Sequence, residues 1–553
     1  MPNTADPATP ELFDWNAAPT LTAFMADTAP LTQDERTAII AAAADLLASY
    51  YVHLPFKQEV HGIDPLGDLD RLRETLPDPT DDVAFHTALC AIFADLRDLH
   101  TQYTLPQPYQ TAAAILPFKI GAFVEDGRTR FIVTDILAST TASSLPRDFR
   151  IGAEILTWCG VPMEVAITRL ADLSGGASSA ARRDRALASM TLRPMERQPP
   201  PDEAAVTLTY RAADGRSDGQ VSLPWRVIDA RLEAIDPRLA GFVCMDHEAE
   251  LRRRASARAY HPEVVAAERR AITHGGRHQA YPDSPALETT LPSVFKAHPL
   301  DGTECGYIRI FTFSPPIPNA TIDMLLQQFG NEFVRLIRAL PQEGLVIDVR
   351  GNGGGCLPLA ESLLQTLTPR RIVPQPLELR ATPEMLALCR ASGDLNPFVA
   401  SLEQPVGAHP GYSVGVPLTA PDWCNAVGQQ YPGPIVLIID ARCYSATDAF
   451  SAGFQDHGIG RVVGTSPSTG AGGANVWTLA QIQAAMGTGP PQSLPRGASL
   501  RVALRRTRRV GPSAGTLVEE FGVTPDLQHV TTRADLLNGD RDLLAVAIRA
   551  LHP

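Results

Sequence analysis

Two units about ninety residues apart constrain this 553-residue chain most. The first reads Gly344-Leu-Val-Ile-Asp-Val-Arg-Gly-Asn-Gly-Gly-Gly355. Its apolar run from Leu345 to Val349 has strand character and stops in a turn with glycines at 351, 353, 354 and 355. A loop of that kind bares backbone N–H groups where side chains would block approach. The second reads Ile435-Val-Leu-Ile-Ile-Asp-Ala-Arg-Cys-Tyr-Ser-Ala-Thr-Asp448, another buried-type strand running into a serine and then an apolar helix pattern. Glycine donors on one loop and a hydroxyl at a strand-to-helix turn are the two halves of an acyl-transfer site, and neither half means much alone.

The length predicts two to four domains. A net charge of -13 argues against a nucleic-acid partner. Arg252 to Arg258 and Arg501 to Arg509 are locally basic but lack the aromatic interleaving of a single-strand groove. The eight cysteines, at 90, 159, 244, 305, 356, 389, 424 and 443, form no zinc-type spacing, so buried free thiols are expected and no metal. The opening Met-Pro-Asn-Thr-Ala-Asp-Pro has neither a basic n-region nor an apolar h-region, and no apolar run reaches about 18 residues. A cytoplasmic protein without a membrane partner is the expectation; a non-Sec export route would leave no legible trace.

Periodicity divides the chain into four parts. Residues 1–110 read as a proline-rich arm and a small helical domain. Its helices are Thr32 to Tyr51, with Thr32 and Glu35 as a capping box, and Val83 to Leu96, and it hands over at His100. Residues 111–230 carry short β-type runs at Phe118 to Phe123, Arg130 to Ile136, Glu154 to Trp158 and Ala205 to Tyr210, with a helix from Met163 to Leu173. The strand Phe131 to Ile136, the turn Ile151-Gly-Ala-Glu-Ile-Leu156 and the strand end at Gly160 resemble a PDZ domain, which implies binding of extended peptides at a sheet edge. Residues 231–300 read as a connector without a clear core. Residues 301–540 alternate strand and helix, implying a partly parallel α/β sheet, with insertions near 370–432 and 480–500.

Ser445 is the candidate nucleophile. Read by itself, Ser-Ala-Thr-Asp448 is close to a capping box; an N-cap also suits a nucleophile, because the helix dipole favours developing negative charge. The amide of Ala446 would lie beside the forming oxyanion, with Gly353 or Gly354 as second donor. A serine needs a base. His457 lies twelve residues on along one helix, roughly 18 Å away, and reads as a helix-end residue. The lysines are only Lys57, Lys119 and Lys296, all in the earlier domains, and His100 stands at a helix-to-loop junction. Glu519 and Glu520 are candidate orienting acids; in an extended segment they face opposite ways, so only one meets His100. The glycine loop lacks the third glycine of G-x-G-x-x-G, with Cys356 in its place, and there is no Walker motif, which argues against a nucleotide cofactor.

Together these segments resemble the tail-specific, or C-terminal-processing, serine protease family. Leu345 to Gly355 matches its strand-plus-glycine motif, and Cys443-Tyr-Ser-Ala-Thr-Asp448 its nucleophile motif. Gln455-Asp-His-Gly458 with Val463-Gly464, and Glu519 to Asp526, match its later motifs. The bacterial enzymes carry a catalytic lysine in a Gly-Lys-Gly loop after that Val-Gly. Here the loop reads Thr465-Ser-Pro-Ser-Thr-Gly-Ala-Gly-Gly473. The Ser-His-Glu branch, with tricorn protease and chlamydial protease-like activity factor, is the closer match through Asp98-Leu-His100 and Glu519. The resemblance implies a ClpP/crotonase-like α/β core, Ser445 as nucleophile, His100 as general base and acid, and Glu519 as its orienter, with Glu520 as the alternative. It implies a peptidase acting on peptide or unfolded protein substrates without a cofactor, and it favours a homodimer. Two other readings stay open: a non-catalytic peptide-binding pseudoprotease, and an acyl-transferring ligase or cyclase, since water and amine compete for one intermediate.

Overall fold

The computed structural model describes residues 13–552, apart from 77, 79–80, 138–144, 230–242, 262–285, 318, 404–410 and 488–492. The first residues of the expected N-terminal arm lie outside this set, as does most of the expected 231–300 connector.

The main sheet runs in the order Phe295–Pro299, Gly306–Ile310, Leu345–Asp348, Ile435–Ile439, Arg461–Gly464, Leu527–Gln528. The last five strands are parallel, and the first is antiparallel to its neighbour. Helices cover both faces, which is why the strands read as unbroken apolar runs. Leu345, Ile347, Ile435, Leu437 and Ile439 point into a core with the Ile322–Ala339, Leu357–Leu364 and Ala446–Asp456 helices. Val346, Val436 and Ile438 point the other way, against the Arg541–Leu551 helix. The Phe295–Pro299 strand shows that this sheet begins before residue 301, inside the expected connector. The helix His247–Tyr260 also contradicts a coreless connector: Leu251 and Ala255 are buried.

A second sheet joins segments far apart in sequence. Strand Ser499–Thr507 pairs with Gln102–Thr104, with Ala474–Thr478 and with Pro376–Leu379. The expected 370–432 insertion is thus partly a sheet component. The N-terminal helices Gln33–Tyr50, Leu54–His61 and Asp82–Asp95 pack into the same core as this sheet and the β-rich domain, so they are not separately cored. Thr32 and Glu35 do form the capping box, and Ile39, Ile40, Ala43, Leu46 and Leu47 are buried. The β-rich domain is an antiparallel sheet, Phe118–Glu125, Arg128–Ile136, Glu154–Trp158, Ala205–Arg211 and Asp218–Pro224, with the Met163–Asp172 helix where the periodicity places it.

No single helix among the described residues is long and apolar enough to cross a membrane. Of the seven described cysteines all are free and five are buried; Cys159 is exposed, against expectation, at a turn where its φ is 46°.

Candidate active site

Parallel pairing of Leu345–Asp348 with Ile435–Ile439 brings the glycine loop and the serine turn side by side at the carboxyl ends of neighbouring strands. The two loops are tied together: Gly351 N donates to Asp440 Oδ1 at 2.8 Å, and Tyr444 N to the Asn352 carbonyl at 3.1 Å. Ser445 has φ 66° and ψ -119°, a strained conformation for a non-glycine residue that surrounding contacts must hold. Its N–H donates to Asp448 Oδ2 at 2.8 Å, and the same carboxylate takes the amides of Ala471 and Gly472. Burial pushes Asp448 up to about 6 against these donors. The capping-box reading of Ser-Ala-Thr-Asp holds, and this box fixes the orientation of Ser445.

The Ser445 hydroxyl points at a residue 345 positions away: His100 Nε2 lies 2.7 Å from Ser445 Oγ. His100 follows the Asp82–Asp95 helix and precedes the short strand Gln102–Thr104. That segment is fixed by Gln102 opposite Arg501, by Thr101 Oγ1 accepting Ala503 N at 2.9 Å, and by Asp98 Oδ1 accepting the His100 N–H at 2.7 Å. Tyr444, next to Ser445, accepts Leu99 N–H at 3.1 Å and lays its ring against His100 with centroids 4.7 Å apart. Cβ atoms at Gly472 would meet that tyrosine ring at 2.3 Å, so the lysine-free Thr465–Gly473 loop is shaped to seat Tyr444.

His100 is fully buried, which pulls its pKa well below the ordinary imidazole value; Arg501 and Arg185 add to the effect. A neutral ring is the form a general base needs. His100 Nδ1 has no hydrogen-bond partner among the described residues. Asp98 Oδ1 is 3.8 Å from it, and a ring nitrogen and one oxygen each of Asp98 and Glu519 all lie within 4.8 Å of one another. Two acids thus flank the ring, where the sequence suggested one.

Glu519 is fully buried, accepts Gly473 N–H on Oε2 at 3.2 Å and pairs through Oε1 with Lys57 Nζ at 2.9 Å. Burial pushes its carboxyl up to about 8, although Lys57 pulls the other way. Glu520 also reaches Lys57, at 2.7 Å, and its other oxygen is 3.0 Å from His61 Nε2. The expectation that the two glutamates face opposite ways fails because Glu520 takes φ 78° and turns the chain; they converge on one ammonium. Asp98, His100 and Glu519 have the spacing of a metal cluster, but Lys57 already supplies the cation at Glu519.

Among the expected oxyanion donors, Gly354 is spent: its N–H donates to Asn352 Oδ1 at 2.9 Å. The amides of Gly353 and Ala446 have no acceptor among the described residues. Gly353 is packed so that a Cβ would meet Ala249 at 2.9 Å. His457 caps its helix, with Nδ1 2.8 Å from the Gly453 carbonyl and Nε2 accepting Val373 N–H. Sequence reasoning gave no role to Asp98, Tyr444 or Asn352, and considered Lys57 only as one of three lysines that could serve as the base. Asp98 stood inside the matched Asp98-Leu-His100 motif, and Lys57 was marked only by the rarity of lysine.

The peptidase family S41 profile matches residues 304–529, and a PDZ domain profile matches residues 112–233. The chain carries a peptidase family S41 domain. It is a serine peptidase with a PDZ domain. The matched S41 region contains Ser445 and Glu519, while His100 and Lys57 lie outside both matched regions. The fold is similar to the crystal structure of mature CPAF, at 17% identity with a TM-score of 0.63, covering 93% of this chain and 96% of that one. The structure of mature CPAF complexed with lactacystin is similar at 17% identity and a TM-score of 0.61, covering 94% and 98%. No curated protein sequence matches the chain.

Proposed function

We propose that this S41 peptidase is an endopeptidase that hydrolyses extended peptides and unfolded proteins through an acyl-enzyme on Ser445, with His100 as general base and Glu519 as the acid that orients and charge-balances it. The observation that carries the reading is the 2.7 Å approach of His100 Nε2 to Ser445 Oγ across 345 residues. As Oγ attacks the scissile carbonyl, Nε2 takes its proton. The carbonyl oxygen becomes an oxyanion between the Ala446 and Gly353 amides. The imidazolium then donates its proton to the leaving amine, breaking the C–N bond, and water repeats the sequence to release the acyl group. Glu519 stabilises the imidazolium through the Nδ1 side. The PDZ domain supports an extended substrate, since such domains take peptides as an added strand.

The test is mass spectrometry of the wild type and His100→Ala after treatment with a fluorophosphonate. A single adduct on Ser445, greatly slowed in the variant, is expected. Labelling that is equally fast without His100 would remove it as the base. A wild type that takes up no label would favour a peptide-binding protein.

A further inference from the structure

We propose that Lys57 is a positioning residue for the reaction: its ammonium favours the ionised form of the Glu519 carboxylate and holds it beside His100, so the N-terminal helices complete the site. This rests on the Ser445–His100–Glu519 reading above.

Lys57 lies on the Leu54–His61 helix, and its side chain is 0% exposed. A lysine is almost never fully buried unless paired. Its Nζ faces Glu519 at 2.9 Å, Glu520 at 2.7 Å and the Arg97 carbonyl at 3.2 Å, the last just before the segment that carries His100. With Gly473 N–H on Oε2 and Lys57 on Oε1, both oxygens of Glu519 are held. Removing a charge partner from a buried acid leaves an uncompensated charge that the acid sheds by taking a proton. A protonated Glu519 would no longer balance an imidazolium.

The surrounding groups do not substitute for Lys57. Asp98 and Glu520 are acids and push Glu519 further toward its neutral form. Tyr51 and Tyr444 are buried phenols, raised well above their ordinary range. His53 is buried and held neutral by that burial and by Lys57 itself. His61 engages Glu520, with Arg97 behind it at 3.2 Å. Arg501 and Arg185 act on His100, lowering its pKa. A buried ion pair gains little net stability, so fold stability is a weak account of this lysine.

The experiment measures the rate of fluorophosphonate labelling at Ser445 against pH for wild type, Lys57→Met, Glu520→Gln, Glu519→Gln and Lys57→Met/Glu519→Gln. Lys57→Met should move the rising limb to higher pH, with about a tenfold loss below the limb for each unit of displacement. Glu520→Gln removes a like charge and should move the limb to lower pH. Lys57→Met should add nothing in the Glu519→Gln background. Profiles of Lys57→Met and Glu520→Gln that superimpose on wild type after scaling, with Glu519→Gln slowed, would overturn the role of Lys57 alone. Glu519→Gln labelling at the wild-type rate would instead overturn the triad beneath it. If Lys57→Met gives no cooperative melt, the sign of the Glu520→Gln shift decides.

Discussion

Ser445 stands at the end of a strand whose five residues are all apolar and buried, whereas His100 and Glu519 stand beside a strand that buries Arg501, Arg505 and Arg506. Ser445 is aimed by backbone: a φ of 66°, a run of amides on Asp448, and glycines that make room for Tyr444. His100 and Glu519 are aimed by charge, through Lys57, Glu520, Asp98 and their partners. The geometry at Ser445 is set mostly by nearby residues, with Asp448, pushed up to about 6, as a titrating support. A buried charge network is collected from distant segments and titrates. The two halves should therefore fail differently when broken.

The largest effect is expected from His100→Ala. Loss of the base should lower turnover of an unfolded-protein substrate by roughly 10⁴-fold or more, leaving the residual rate from the oxyanion donors. A loss of only a few-fold would mean that the geometry at 2.7 Å is not the reactive one.

Next comes the choice between the two acids beside His100. Glu519→Gln should cost about 10²- to 10⁴-fold, and Asp98→Asn less, by analogy with loss of an orienting carboxylate. The pH profile separates them further. Glu519 is useful as an anion, and burial lifts its pKa to about 8, so kcat/KM should rise with pH through that value. His100 is useful when neutral, and burial lowers its pKa below 6.5, so its own limb falls at more acid pH, beneath the Glu519 limb. Glu519→Gln should abolish the upper limb. A wild-type profile with a single limb below pH 6.5 would assign the orienting role to Asp98.

This contrast also explains what was legible before folding. The strands at Leu345 and Ile435 are apolar runs because both faces are covered, and the serine turn is written in six consecutive residues. Local patterns of that kind survive in sequence. His100 was reachable only through a family motif, because nothing in a junction histidine announces a partner 345 residues on. Lys57 lies 463 residues from Glu520 and belongs to no pattern at all. Gly354 looked equivalent to Gly353 until the Asn352 side chain took its amide. The two glutamates were misread as an extended pair because one positive φ, at Glu520, reverses the geometry that strand alternation assumes.

Tyr444 joins the two halves and offers the smallest but most discriminating change. It is adjacent to Ser445, yet its hydroxyl accepts the Leu99 amide at 3.1 Å and lies 3.4 Å from Asp98 Oδ1. Tyr444→Phe keeps the ring against His100 and leaves the Leu99 N–H buried without its acceptor, a loss of about 1–3 kcal/mol. If the base side is held in place through this one hydroxyl, thermal stability should fall by that amount and turnover several-fold, with substrate KM unchanged. The strained serine turn, held by Asp448 rather than by the tyrosine hydroxyl, should still take up a fluorophosphonate at a matching several-fold lower rate. Full turnover in a destabilised Tyr444→Phe protein would mean that the strand pairing of Gln102 with Arg501 alone sets the position of His100, and that the two halves meet without a bridge.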